Sequence, residues 1–327
     1  MSRKTRAVFI ALALAVLIAS GISFSYIWPR NTTLPQGPPG GTSSQTQPQA
    51  YKTVLKVTAY VSDGYWSRDN VTGLPDYTSD VAYSVSNIGN MGAANVMVTV
   101  TLNGQLLRND TIPSLTIYDQ RTYYLPISTL YDSKSAIHVQ ATCEDSADSC
   151  TLTVGCDFPR TFTQDPEVLK LYITPIETSV VNLKNAIVKS KFFLTPDWIA
   201  IRDWVGGNIH YEFDNVSHGQ EDYWQLPKET LSLRTGDCED SAILLCSLLR
   251  ADGVSATDVY VFVGTSQGQG HAWVSFKWFN ALGIESWIRL EPTFGGNILE
   301  GAFGDLAGTF ENRQVYCSFN DLYYKSY

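Results

Sequence analysis

Pro159 divides the chain into two stretches whose hydrophobic periods cannot belong to one layer of structure. Upstream, Val54 to Val61, Val81 to Val85 and Ala94 to Leu102 are rich in β-branched and aromatic residues and alternate at period two, the spacing of half-buried strands. Asn87 to Asn90 and Asn103-Gly104 supply turns, the second a two-residue hairpin signal. Further strands are expected over 121–127, 136–142 and 151–154. Downstream, 166–189 has helical spacing broken near Pro175. Thr195-Pro196-Asp197 then opens a helix whose Trp198, Ile201, Val205 and Ile209 share a face. An apolar helix from Glu239 to Arg250 stops at Asp252-Gly253, and strands follow over 259–263, 271–279 and 287–290. The expected architecture is a β-sandwich followed by an α+β domain.

About seven short strands separated by regular turns fit an immunoglobulin-like sandwich. The run Tyr83 to Asn90, the alternating strand after it and Asn103-Gly104 resemble adhesion-type sandwich modules of exported prokaryotic proteins. That resemblance implies spacing or adhesion rather than chemistry.

Residues 7–28 carry no charge and follow Arg3, Lys4 and Arg6. Such a run is long enough to cross a hydrocarbon core of about 30 Å. It is expected to be a transmembrane signal anchor with a cytoplasmic N-terminus and extracytoplasmic domains. A cleaved signal peptide ending near Ala19-Ser20-Gly21 is the alternative. Pro29, Pro35, Pro38, Pro39 and Pro48 lie in a Gly, Ser, Thr and Gln-rich stretch that reads as a linker. The expected division is therefore 1–28 stub and anchor, 29–50 linker, 51–158 sandwich and 159–327 α+β domain. The whole chain carries 23 basic and 32 acidic residues, a net −9. Without Arg3, Lys4, Arg6 and Arg30 the balance is 19 − 32 = −13, which excludes nucleic acid and anionic lipid as partners of the folded part. Sequons at Asn31, Asn70, Asn109 and Asn215 are compatible with export.

Of the six Cys, Cys143 and Cys150 flank an acidic turn and are expected to form a disulfide, with a metal site as the alternative. Cys156 and Cys317 are unassigned, and Cys246 suits the apolar body of its helix. Cys238 stands at the start of that helix among Gly236, Asp237, Glu239 and Asp240. Unpaired backbone N–H groups there favour a thiolate and suit a nucleophile. His271 opens a strand, with Trp273 and Ser275 on its face and Ala272, Val274 and Phe276 on the other. Glu291 ends the next strand and can orient the imidazole, completing a nucleophile, base and carboxylate series. Tyr223, Trp224 and Trp273 are candidates for the cleft wall or for core.

Three blocks, Gly236 to Ala242, Gly270 to Val274 and Leu290 to Thr293, resemble the transglutaminase-like superfamily over roughly residues 195–295, with Tyr223 to Leu231 similar to the segment before the catalytic Cys of its bacterial proteinases. The resemblance implies a papain-like fold with Cys238 as nucleophile, His271 as base and then acid, and Glu291 as orienting carboxylate. The family usually has Asp where this chain has Glu291. It also implies calcium at Asp237 and Glu239, an oxygen pair suited to a hard cation, although helix capping by the same acids is an equally chemical reading. The expected activity is amide hydrolysis of a protein or peptide substrate through a thioester. Cross-linking by amine transfer and a catalytically impaired peptide-binding module are the alternatives.

Overall fold

The computed structural model describes residues 50–266, 268–279, 285–293 and 313–327, and Ala50–Tyr327 form one compact unit. Its N-terminal half contains only strands: β1 Leu55–Val61, β2 Tyr65–Arg68, β3 Pro75–Asn87, β4 Ala93–Leu102, β5 Gln105–Leu115, β6 Gln120–Leu130, β7 Ser135–Thr142 and β8 Ala147–Val154. They make two four-stranded antiparallel sheets. In one, β3 is central, with β6 along one edge and β1 and β2 sharing the other. The second has the order β5-β4-β7-β8. Val57, Val81, Tyr83 and Val85 of the first sheet meet Val96, Val98, Ile137 and Val139 of the second in one buried cluster. β8 closes one side of the sandwich: its Asp148 carboxylate and the neighbouring Ser146 hydroxyl accept the N–H groups of Val57 (2.7 Å) and Leu55 (2.9 Å). Backbone donors of β1 that would otherwise be a bare edge are thereby satisfied.

Helices appear only after Phe158: α1 Pro166–Leu171, α2 Thr178–Ser190, α3 Asp197–Asn208, α4 Asp214–Ser217, α5 Pro227–Leu233 and α6 Cys238–Ala251. Two-residue strands β9 His210–Tyr211 and β10 Thr235–Gly236 pair in parallel just before α6. The sheet is formed by β11 Val259–Ser266, β12 Gln269–Phe279, β13 Glu285–Leu290, β14 Arg313–Phe319 and β15 Tyr324–Ser326, in the order β13-β12-β11-β14-β15. Its Val259, Val261, Ala272, Val274 and Phe276 pack with Ile243 to Leu249 of α6 and with Ile201 and Val205 of α3. The alternation expected along β12 thus sends Ala272, Val274 and Phe276 to the core. Trp224 belongs to the same core, edge-on to Tyr172 and stacked on Phe319.

The two layers meet at Arg160, whose guanidinium binds Glu229 of α5 through two bonds (2.6 and 2.8 Å) and also the Asp132 carboxylate of the sandwich. Trp66 of β2 lies edge-on to Phe158 at 5.0 Å, and Arg68 donates to the Lys170 carbonyl of α1 (2.6 Å).

Two expectations are corrected. The fold class was expected to include a transmembrane helix, but among the described residues no helix is long and apolar enough to cross a membrane, and strand predominates over helix. The 7–28 run on which that expectation rested lies outside the described residues, as do the linker up to residue 49 and the 280–283 connection. Cys143 and Cys150 are free. Cys150 pairs across the ladder with Val139, whereas Cys143 lies four residues beyond Val139, past the end of β7. At about 3.3 Å per residue that offset is roughly 13 Å, beyond the reach of a disulfide.

Candidate active site

Cys238 is the first residue of α6, and the turn before it is shaped by Asp240. The wholly buried Asp240 carboxylate accepts the Asp237 N–H (3.3 Å) with one oxygen and the Gln225 N–H (2.7 Å) with the other. One side chain therefore caps the helix and ties the 223–226 segment to it. Gly236 allows this, because a Cβ there would lie 2.7 Å from the Asp240 Cβ. The sulfur donates toward Glu239 Oε2 (3.3 Å). Burial pushes the thiol well above its ordinary range, the charges of Glu239 and Asp237 push it further, and the Ala272 N–H works in the opposite direction. Desolvation and the two carboxylates thus favour the neutral thiol, against the expectation that the helix N-terminus would favour a thiolate.

The Ala272 contact places the sulfur against β12, next to His271. His271 Nε2 lies 3.0 Å from Glu291 Oε2. That pairing puts the imidazole proton on Nε2 and leaves Nδ1 as the basic nitrogen. Glu291, 7% exposed, follows the last residue of β13, and its other oxygen accepts from Arg313 of β14 (3.1 Å). Trp273 lies beneath, stacked near the His271 ring at 6.0 Å and on Phe262 at 5.8 Å, with Arg313 over its face at 4.7 Å. The ends of β11 and β12 are paired up to Ser266 and Gln269, with Gly264 opposite His271.

On the other side of Cys238 lies an acidic cluster. Glu239 is buried and pushed well above the usual carboxylate range, first by burial and then by Asp237 and Asp240. Asp214, 3% exposed, is pushed to about 6 by burial, with Asp237 and Asp222 adding, while the Tyr223 N–H that it accepts (2.6 Å) opposes the shift. Ligand atoms of Asp237, Cys238 and Glu239 converge within 4.8 Å, and so do those of Asp214, Glu239 and Asp240. Asp214 Oδ1 and Asp237 Oδ1 are buried without a hydrogen-bond partner. They border a cavity of about 370 Å³ lined by Phe213, Asp214, Asn215, Glu221 and Asp237.

The structure thus joins His271 to Glu291 and sets Cys238 against the same strand. Asp214 and Arg313 were not anticipated. Asp214 lies in a short α4 with no periodic signal, and Arg313 reaches the site only through sheet order.

Residues 193–292 match the family model of the transglutaminase-like superfamily. A segment of 57 residues, 17% of this chain, is 46% identical to centrosomal protein of 76 kDa from Xenopus tropicalis and spans 8% of that protein's length. Among solved structures, LapG of Legionella pneumophila is 20% identical over 50% of this chain and 81% of its own, with a TM-score of 0.34, and its calcium-bound form gives 0.32. The CARDB domain of PF1109 from Pyrococcus furiosus is 18% identical over 34% of this chain and 100% of its own, with a TM-score of 0.27. Residues 193–292, which hold Cys238, His271 and Glu291, belong to the transglutaminase-like superfamily.

Proposed function

We propose that the chain is a cysteine peptidase that cleaves amide bonds of a protein substrate through a thioester. The observation that carries this reading is the 3.0 Å His271–Glu291 contact beside a cysteine at a helix head. Desolvation and the neighbouring carboxylates favour the neutral thiol, so we read His271 as a general base rather than as half of a standing ion pair. Cys238 Sγ attacks the carbonyl carbon as its proton passes to His271 Nδ1. The C–N bond then breaks, and the departing amine takes that proton. Water attacks the thioester with His271 again accepting a proton, and the thiol and a carboxylic acid are released. Glu291 supports the positive imidazolium that forms twice in this cycle.

Asp237 and Glu239 would hold calcium, and Glu239 also converges with Asp214 and Asp240 in a second acidic group; one oxygen each of Asp214 and Asp237 is buried without a hydrogen-bond partner. A bound calcium would supply positive charge that offsets the carboxylates beside the thiol.

Glu291 reaches His271 despite its extra methylene, which favours an enzyme over an impaired binding module. The test is digestion of an unbiased peptide library by the purified chain and by Cys238→Ala, with a labelled primary amine in a parallel reaction. Thiol-dependent cleavage is expected. Equal cleavage by Cys238→Ala would sink the reading, and amine incorporation in place of cleavage would convert it to acyl transfer.

A further inference from the structure

Glu291 binds two partners, and the second has no place in the Cys, His, carboxylate series. Arg313 Nη2 donates to Oε1 at 3.1 Å, and both side chains are 7% exposed. Sheet order puts β12 and β11 between β13, which leads into Glu291, and β14, which opens with Arg313. Three strand spacings amount to about 14 Å, so only two long side chains meet across them. Arg313 crosses against the face of Trp273, at 4.7 Å from the ring centre, and His271 stacks near the same indole. The close approach of β14 depends on Gly264, where the register of β11 and β14 shifts and where a Cβ would collide with the Gln314 carbonyl oxygen.

We infer that Arg313 is the positioning residue of this site: it holds Oε1 of Glu291 so that Oε2 alone faces His271, which keeps the imidazole proton on Nε2 and Nδ1 free as the base. The reach of a glutamate is what lets one carboxylate serve both Arg313 and His271. The shorter side chain of an aspartate, drawn back by one C–C bond, would lose one partner or both. A guanidinium donates only, so it also dictates which carboxylate oxygen is left for the histidine. The inference rests on the peptidase reading for its kinetic test but not for its structural one.

Four proteins decide it: the parent, Arg313→Met, Glu291→Gln and the double variant, with melting temperature followed as a folding control and Arg313→Lys as the conservative variant. Arg313→Met is expected to lower kcat on the order of 10- to 100-fold with KM unchanged, as loss of alignment does, and Arg313→Lys is expected to recover part of it. In Glu291→Gln the amide oxygen must face Arg313, so the NH₂ group faces Nε2, drives the proton to Nδ1 and blocks the base. Removing Arg313 in that background frees the amide to turn, and kcat is expected to rise at least about fivefold. A merely structural Arg313 would lower kcat in both backgrounds, and that result, or no change in either, overturns the inference.

If the parent turns over no peptide, the peptidase reading fails, and ¹⁵N imidazole spectra of His271 in the same four proteins carrying Cys238→Ala decide the role of Arg313. An Nε2–H tautomer in the parent, Nδ1–H in Glu291→Gln and Nε2–H again in the double variant support it. One tautomer throughout overturns it.

Discussion

Replacing Arg160 by Met should weaken the joint between the sandwich and the α+β layer, by an amount the geometry bounds. The guanidinium side chain is 11% exposed and makes two bonds to Glu229 and one to Asp132, with the Tyr131, Phe158 and Tyr223 rings 5.7, 5.6 and 5.4 Å from Cζ. Removing one partner of a fully buried ion pair costs about 3–5 kcal/mol, mostly because a charge is left alone. Here neither carboxylate is left alone. Glu229 still accepts the Leu226 N–H (2.7 Å), and Asp132 still accepts the Phe158 N–H (2.7 Å). Methionine also keeps the apolar packing among the three rings. The expected loss is therefore about 2–3 kcal/mol. For a unit of this size that lowers the melting temperature by roughly 4–12 °C. Scanning calorimetry on the parent, Arg160→Met and Asp132→Asn measures it. The Met variant should also split one transition toward two, because Arg160 forms ion pairs with carboxylates of both layers. A melting temperature within about 2 °C of the parent, with an unchanged single transition, would refute the reasoning.

Other expectations follow from single contacts. Gly264→Ala should cut turnover more than it lowers stability, because the collision with Gln314 moves β14 and with it Arg313; equal melting and equal kcat would contradict it. The Asp214 carboxyl, held at about 6 when folded, binds its proton more tightly than in the unfolded chain. Its favourable contribution is therefore present at low pH and is lost as pH rises from the unfolded value near 4 to about 6. Asp214→Asn in chelator should consequently gain stability over the parent between pH 4 and pH 7, as read by denaturant titration, and a flat difference would count against the burial argument. Cys143→Ser and Cys150→Ser should each leave the melting temperature in air unchanged within about 1 °C, since removal of a native disulfide would cost about 2–5 kcal/mol.

What the residue pattern disclosed depended on whether the determining force was local. The strands around Val57, Val98 and Val139 and the core face of β12 were visible because burial on one side of a strand imposes alternation. β5 was not among the expected strands: Asn109, Asp110 and Pro113 are poor strand formers, yet β5 is an edge strand, where proline is tolerated. Thr195 was expected to cap α3, but the helix starts at Asp197 without a side-chain cap, and the Thr195 carbonyl is taken by Lys191 (2.7 Å). Cys238 and Glu291 could be singled out because each sits at an element boundary, and His271 because it lies two residues inside the start of β12. The state of the thiol could not, because it depends on burial and on carboxylates that only tertiary packing brings near. Arg313 had no signal at all, being brought to Glu291 by the order of strands.

Helix α6 is buried from Glu239 to Leu249, and its first residue is Cys238, the proposed nucleophile. Amides in such an element exchange with solvent only through openings that expose the whole core. The slowest-exchanging hydrogens of the chain should therefore run along α6, immediately behind the reactive sulfur. A partly unfolded form that loses α6 while keeping the rest of the fold then has almost no population. Heat or denaturant abolishes the reactive geometry and the fold in one step, and proteolytic nicking of surface turns spares both until that step is reached.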